Sequence, residues 1–103
     1  MDKNDALRIS KGYLQRVKSS DLGFSEAWLF GSYAKGDAHE YSDIDIAIVS
    51  DKFEGRRFWE REKLGKYVIK SSVDLEVHPY KTEDFTEDDP FVKEIIQTGL
   101  KIV

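Results

Sequence analysis

The sequence predicts an α/β (α+β) domain, a small mixed β-sheet flanked by helices. Two observations carry that prediction. Segments of helical periodicity alternate with short β-type runs in the order helix, strand, turn, strand, helix, strand, helix. The runs Asp43 to Val49 and Val73 to Val77 keep the two-residue alternation of a strand. A chain of 103 residues is expected to form one domain over residues 1–103 with a single core.

Each element has its own signal. Ala6, Ile9, Tyr13 and Val17 recur at helical spacing, which predicts a helix from Asn4 to Lys18 capped by Asn4. Ser19 to Gly23 is a polar break, and Glu26 to Phe30 is a short strand ended by Gly31. Ser32 to Lys35 is expected as a helical turn capped by Ser32, followed by a loop from Gly36 to Glu40. The next strand, Asp43 to Val49, alternates Ile44, Ile46 and Ile48 with Asp43, Asp45, Ala47 and Val49. A second long helix is expected from Phe53 to Ile69, with Phe58, Leu64 and Val68 inward. The third strand, Val73 to Val77, is expected to stop before Pro79. Thr82 to Asp89 is an acidic loop. Pro90 opens a last helix capped by Asp89 and stopped by Gly99, and Leu100 to Val103 can add a strand.

Composition narrows the function classes. The chain has no cysteine, so thiolate metal sites and disulfides are out. The start, Met1 to Asp5, lacks the apolar core of a signal peptide, and no apolar run approaches membrane-spanning length. A cytoplasmic location is the expectation. A net charge of -4 disfavours non-specific nucleic-acid binding. The charge is uneven. Lys52 to Lys70 holds seven Lys/Arg against three Glu, and Glu83 to Glu94 holds six Asp/Glu against one Lys. Such runs are commonly solvated faces.

The chemistry concentrates in two places. Asp43 and Asp45 are two residues apart on a strand, so their carboxylates share one face. Like charges that close repel, and a divalent cation relieves the repulsion. Magnesium takes hard oxygen ligands and keeps waters for substrate phosphates. Two such ions about 3.5–4 Å apart are a common arrangement for displacement at phosphorus. Asp74 repeats the pattern on another strand, and Glu76, on the same face, is its rival for the third place. An Asp-x-Asp pair can equally mark an exposed edge face, so the pair alone decides nothing. The second place is Gly31-Ser32. A glycine lets the backbone approach a phosphate, and a serine at a helix start can donate to one. Lys35, one turn on, can add charge. Alone, Gly31-Ser32 reads as an ordinary strand-ending turn. Together with the carboxylates it forms a constellation suited to a metal–nucleoside triphosphate.

On these residues the sequence resembles a known family. "GSYAKGDAHEYSDIDIAIV", from Gly31 to Val49, is similar to the signature of the DNA polymerase β-like nucleotidyltransferases, and most like their minimal (MNT) members. The resemblance extends to "SVDLEV", where Asp74 matches the third carboxylate, and to the C-terminal "FVKEIIQTGLKIV". It implies transfer of a nucleoside monophosphate, AMP from ATP, to a hydroxyl. Gly31, Ser32 and Lys35 would bind the nucleotide. Asp43, Asp45 and Asp74 would hold two Mg2+ ions, with Asp74 activating the acceptor. Lys35 stands where many members have arginine, which keeps charge but loses the fork geometry. The resemblance further implies a HEPN-domain toxin as partner, neutralised by adenylylation of a tyrosine. The alternative is a non-catalytic module that neutralises a partner by stoichiometric binding. Trp28 and Phe30 read as core, Tyr33 as packing under the turn, and His39 and His78 as exposed or structural. Arg56, Arg57 and Arg61 read as solvated helix charges. Acceptor, base preference and oligomeric state leave no mark in the residues.

Overall fold

The computed structural model describes residues 1–39, 41–68 and 74–103. Helix α1 (Lys3–Lys18) leads into β1 (Glu26–Phe30), the short helix α2 (Ser32–Lys35) and β2 (Ile44–Ser50). Helix α3 (Arg57–Val68) connects to β3 (Leu75–Lys81), and a 3-10 turn (Thr82–Asp84) precedes α4 (Pro90–Thr98) and β4 (Leu100–Lys101). The sheet order is β3-β2-β1-β4. β1 pairs antiparallel with β2 and β4, and β2 pairs parallel with β3. The parallel pair needs a crossover, which α3 supplies. The sheet is therefore mixed, as the sequence predicts. The expected helix end at Ile69, strand start at Val73 and loop end at Glu40 lie outside the described residues.

β2 is buried on both faces because helices cover both. Ile44, Ile46 and Ile48 point toward α1 and α3, into a core shared with Ala6, Tyr13, Val17, Leu64, Leu75 and Val77. Each buried isoleucine contributes about 1.5–3 kcal/mol by its removal from water. The Tyr13 hydroxyl donates to the Leu64 carbonyl at 2.9 Å, tying α1 to α3. Burial of that phenol raises its pKa. The opposite residues, Ala47 and Val49, lie under α4 with Phe30, Tyr80, Val92 and Ile95.

Four local expectations are corrected. α1 is capped by Asp2, not Asn4: Asp2 accepts from the Asp5 N–H and Asp5 returns the bond, a reciprocal capping box. α2 is preceded by Gly31, and Ser32 is its first helical residue, so Ser32 is not the cap. β3 runs through Pro79 to Lys81. It is the edge strand, where a missing N–H costs the ladder nothing if it faces outward. Phe58 is 73% exposed and packs edge-on against Trp59 at the surface, while Leu64 and Val68 turn inward as expected. Asp89 caps α4 by accepting from the Phe91 N–H at 2.9 Å, with Pro90 in its first turn.

Candidate functional site

The parallel register of β2 and β3 builds the site. The Ile44 N–H donates to the Asp74 carbonyl at 2.8 Å, so both strands begin at their aspartates. Asp45 then lies beside Glu76, and Ala47 beside His78. On its other side Asp45 pairs with Phe30 of β1, and Gly31 follows. One end of a single sheet face thus collects Asp45, Glu76 and His78, with Asp43 and Asp74 just ahead of the strands. The lower part of that face is closed by α4, and the acidic end is not.

Gly31 is required by two separate demands. Its φ is +76°, a region that disfavours any side chain. A Cβ there would also collide with Oδ2 of Asp45. The turn that begins α2 is therefore pressed against the carboxylate of the next strand. The Gly31 carbonyl accepts from the N–H groups of Ala34 and Lys35, both at 3.1 Å, which leaves the first N–H groups of α2 without a partner inside the helix.

The electrostatics record the crowding. Partial removal from water, then the negative charges of Glu76, Asp45 and Asp74, hold the Asp43 carboxyl above the ordinary carboxylate range, and a hydrogen bond with Glu76 acts the same way. Among the described side chains, two lie directly against these carboxylates. Arg61 of α3 pairs with Glu76 at 2.6 Å. His78 Nε2 lies 3.3 Å from Oδ1 of Asp45, both side chains being about one quarter exposed.

Next to Asp45 is a cleft of about 260 Å³, walled by Phe30, Gly31, Lys35, His78, Phe91, Glu94, Ile95 and Thr98. Lys35 Nζ bonds Glu94 Oε1 at 2.9 Å, joining α2 to α4 across one side of the cleft. That carboxylate raises the Lys35 pKa.

The predicted residues are thus placed unequally. Gly31, Asp43, Asp45 and Asp74 converge at one end of the sheet. Ser32 sits at the start of α2, and Lys35 lines the cleft while engaged with Glu94. His39 is exposed, its Nδ1 accepting from the Tyr41 N–H in a turn. Glu76 belongs to the cluster, and His78, read from sequence as exposed or structural, reaches Asp45. Asp45, Glu76 and His78 present donor atoms within 4.8 Å of one another. Glu76 is read from sequence on the face of Asp74; His78 continues the same parity, a pattern hidden when the strand is stopped before Pro79.

The donor set fits a hard divalent cation. It is dominated by carboxylate oxygens, its charges repel one another, and glycine keeps the space beside Asp45 Oδ2 clear.

Among the described residues, no helix is long and apolar enough to cross a membrane. Residues 10–103 match the nucleotidyltransferase domain family. The chain is 35% identical to the probable protein adenylyltransferase MntA of Haemophilus influenzae over 98% of its own length and 87% of that protein's. Among solved structures it is similar to one described as a nucleotidyltransferase from Sulfolobus solfataricus, with a TM-score of 0.71, 20% identity, and 96% and 80% of the two chains covered. It is also similar to a toxin–antitoxin structure with AMP-PNP, with a TM-score of 0.58, 20% identity, and 90% and 72% covered. The four-stranded mixed sheet with its glycine turn and acidic strand ends is therefore that of a family member: this chain belongs to the nucleotidyltransferase domain family.

Proposed function

We propose that this chain is a metal-dependent protein adenylyltransferase that moves AMP from ATP to a hydroxyl of a partner protein, a tyrosine of a HEPN-domain toxin, and so acts as its antitoxin. The observation that carries this reading is the β2–β3 register, which sets Asp43 and Asp45 against Asp74 and Glu76 directly beside the Gly31 turn. The similarity to MntA and to a toxin–antitoxin assembly holding an ATP analogue supports the same reading. Residues 1–103 act as one domain in this proposal.

Asp43, Asp45 and Asp74, with Glu76 beside them, would hold one or two Mg2+ ions. Bound there, Mg2+ would neutralise charge on the triphosphate and lower the pKa of an acceptor hydroxyl. The chain's own residues do the rest. Gly31 and the first N–H groups of α2 bring backbone donors to the phosphates without a side chain in the way. Lys35 supplies charge at the cleft wall, with Glu94 holding its ammonium in place. Asp74 takes the acceptor proton. The acceptor oxygen forms a bond to the α-phosphorus as the bond from that phosphorus to the pyrophosphate oxygen breaks. Pyrophosphate leaves with the electron pair.

Incubation of the protein, its toxin partner and labelled ATP tests the proposal. Label should pass to the partner with wild type and not with the Asp43→Asn, Asp45→Asn variant. Absence of label with wild type in the presence of Mg2+ ends the enzyme reading. A second reading, stoichiometric neutralisation, draws on Phe58 and Trp59. These are exposed on α3 near the end of β2 remote from the aspartates, Trp59 lining a groove with Lys52 and Phe53. It predicts full antitoxin action from the double variant.

A further inference from the structure

Asp45 is held on two sides by neighbouring groups. On one side is Gly31, whose missing Cβ makes room for Oδ2. On the other is His78, whose Nε2 lies 3.3 Å from Oδ1. A carboxylate only accepts, so in this contact the imidazole carries its hydrogen on Nε2. The ring is itself fixed. It meets Phe30 edge-to-face at 5.0 Å between centroids and Phe91 at 6.5 Å, and it stands on the edge strand two residues beyond Glu76. Phe30 is buried and also packs against Phe91 at 5.8 Å. The aromatic group therefore clamps the imidazole, and the imidazole clamps the carboxylate.

We propose that His78 is the positioning residue for Asp45: it holds the carboxylate in the rotamer that presents it to a divalent cation. The inference rests on the proposed function for its catalytic meaning but not for its geometry. A ligand carboxylate that rotates freely must be ordered when the ion binds. One already fixed by a neighbouring donor need not be, and loss of such a donor typically weakens metal affinity or activity by about 10–100-fold.

The test uses Mn2+ as probe on the intact chain, comparing wild type with His78→Ala, His78→Gln and His78→Asn. A glutamine amide reaches about as far as Nε2, whereas an asparagine amide falls short. Mn2+ affinity is read from the electron paramagnetic resonance signal of the free ion, and AMP transfer is measured alongside. His78→Ala is expected to bind Mn2+ roughly tenfold more weakly. It should also lower kcat at saturating ATP more than it raises KM. Glutamine should restore most of both, and asparagine should not. If His78→Ala fails to fold, the Gln–Asn comparison carries the test alone. Equal Mn2+ affinity in wild type and His78→Ala overturns the inference, as does equal rescue by Asn and Gln. A spin-echo modulation from a ring nitrogen on the bound ion also overturns it, because the imidazole would then be a ligand. Failure of the adenylyltransferase reading is seen separately, as absence of AMP transfer by wild type while the Mn2+ comparison still decides the role of His78.

Discussion

The same face of β2 has two halves with opposite characters. Ala47 and Val49 lie dry beneath Val92 and Ile95 of α4. Asp45, on the same face and two residues earlier, is about one quarter exposed and sits among Glu76, His78 and Gly31. The strand does not change conformation between the halves; its cover changes. Where α4 covers the sheet, apolar residues stabilise the fold. Where that cover ends, the sheet becomes a rigid platform for charges that no core could hold unpaired. A site on a strand end inherits the rigidity of the core beside it, which is what positioning several carboxylates demands.

The largest expected effect breaks the charged half and spares the covered half. Asp43→Asn with Asp45→Asn should cut AMP transfer by more than about a thousandfold, the scale at which loss of transition-state charge stabilisation is felt. Thermal unfolding should show the variant folded. The reverse experiment is Ile48→Ala on the α1–α3 side. It should cost about 2–5 kcal/mol in chemical denaturation while leaving transfer per folded molecule near wild type. Gly31→Ala joins the two kinds of damage. A residue with a Cβ at positive φ and in collision with Asp45 should lose about 1–3 kcal/mol of stability and also weaken ion binding, checked by denaturation and Mn2+ titration.

The smallest effect concerns pH. The Asp43 carboxyl is raised in the folded state by partial desolvation and by its acidic neighbours. The stability it contributes is thus fully present below the ordinary aspartate value of about 3.9 and is lost as pH rises through the raised value. At neutral pH the metal-free protein therefore carries a repulsion, and Asp43→Asn should stabilise it. Asp43 is exposed, so the gain should be only about 0.5 kcal/mol. Melting curves with chelator from pH 3.5 to 7 should show the difference between the variant and wild type growing with pH, and Mg2+ should reduce it.

Much of the platform was legible in the residues. β1 follows from its short apolar run ended by Gly31, β2 from alternation and α4 from the Asp89-Pro90 start, because those signals are local. The convergence of Gly31, Asp43, Asp45 and Asp74 was suggested by chain order and family resemblance. What was missed had non-local causes. Pro79 ends a central strand but not an edge strand, and edge position is a property of the sheet, not of the segment. Ending the strand there hid His78 from the face it shares with Glu76. The Lys35–Glu94 pair joins helices far apart in sequence, and no spacing rule announces it. Phe58 fits a helical stripe that the surrounding helices leave uncovered.

The central claim is that the acidic strand ends and the Gly31 turn form one site that transfers AMP. Intact-protein mass spectrometry of the proposed toxin partner after incubation with ATP and Mg2+ tests it most directly. The prediction is a mass gain of adenylyl groups with wild type and none with the Asp43→Asn, Asp45→Asn variant. An unmodified partner with wild type, or equal modification by both proteins, would contradict it.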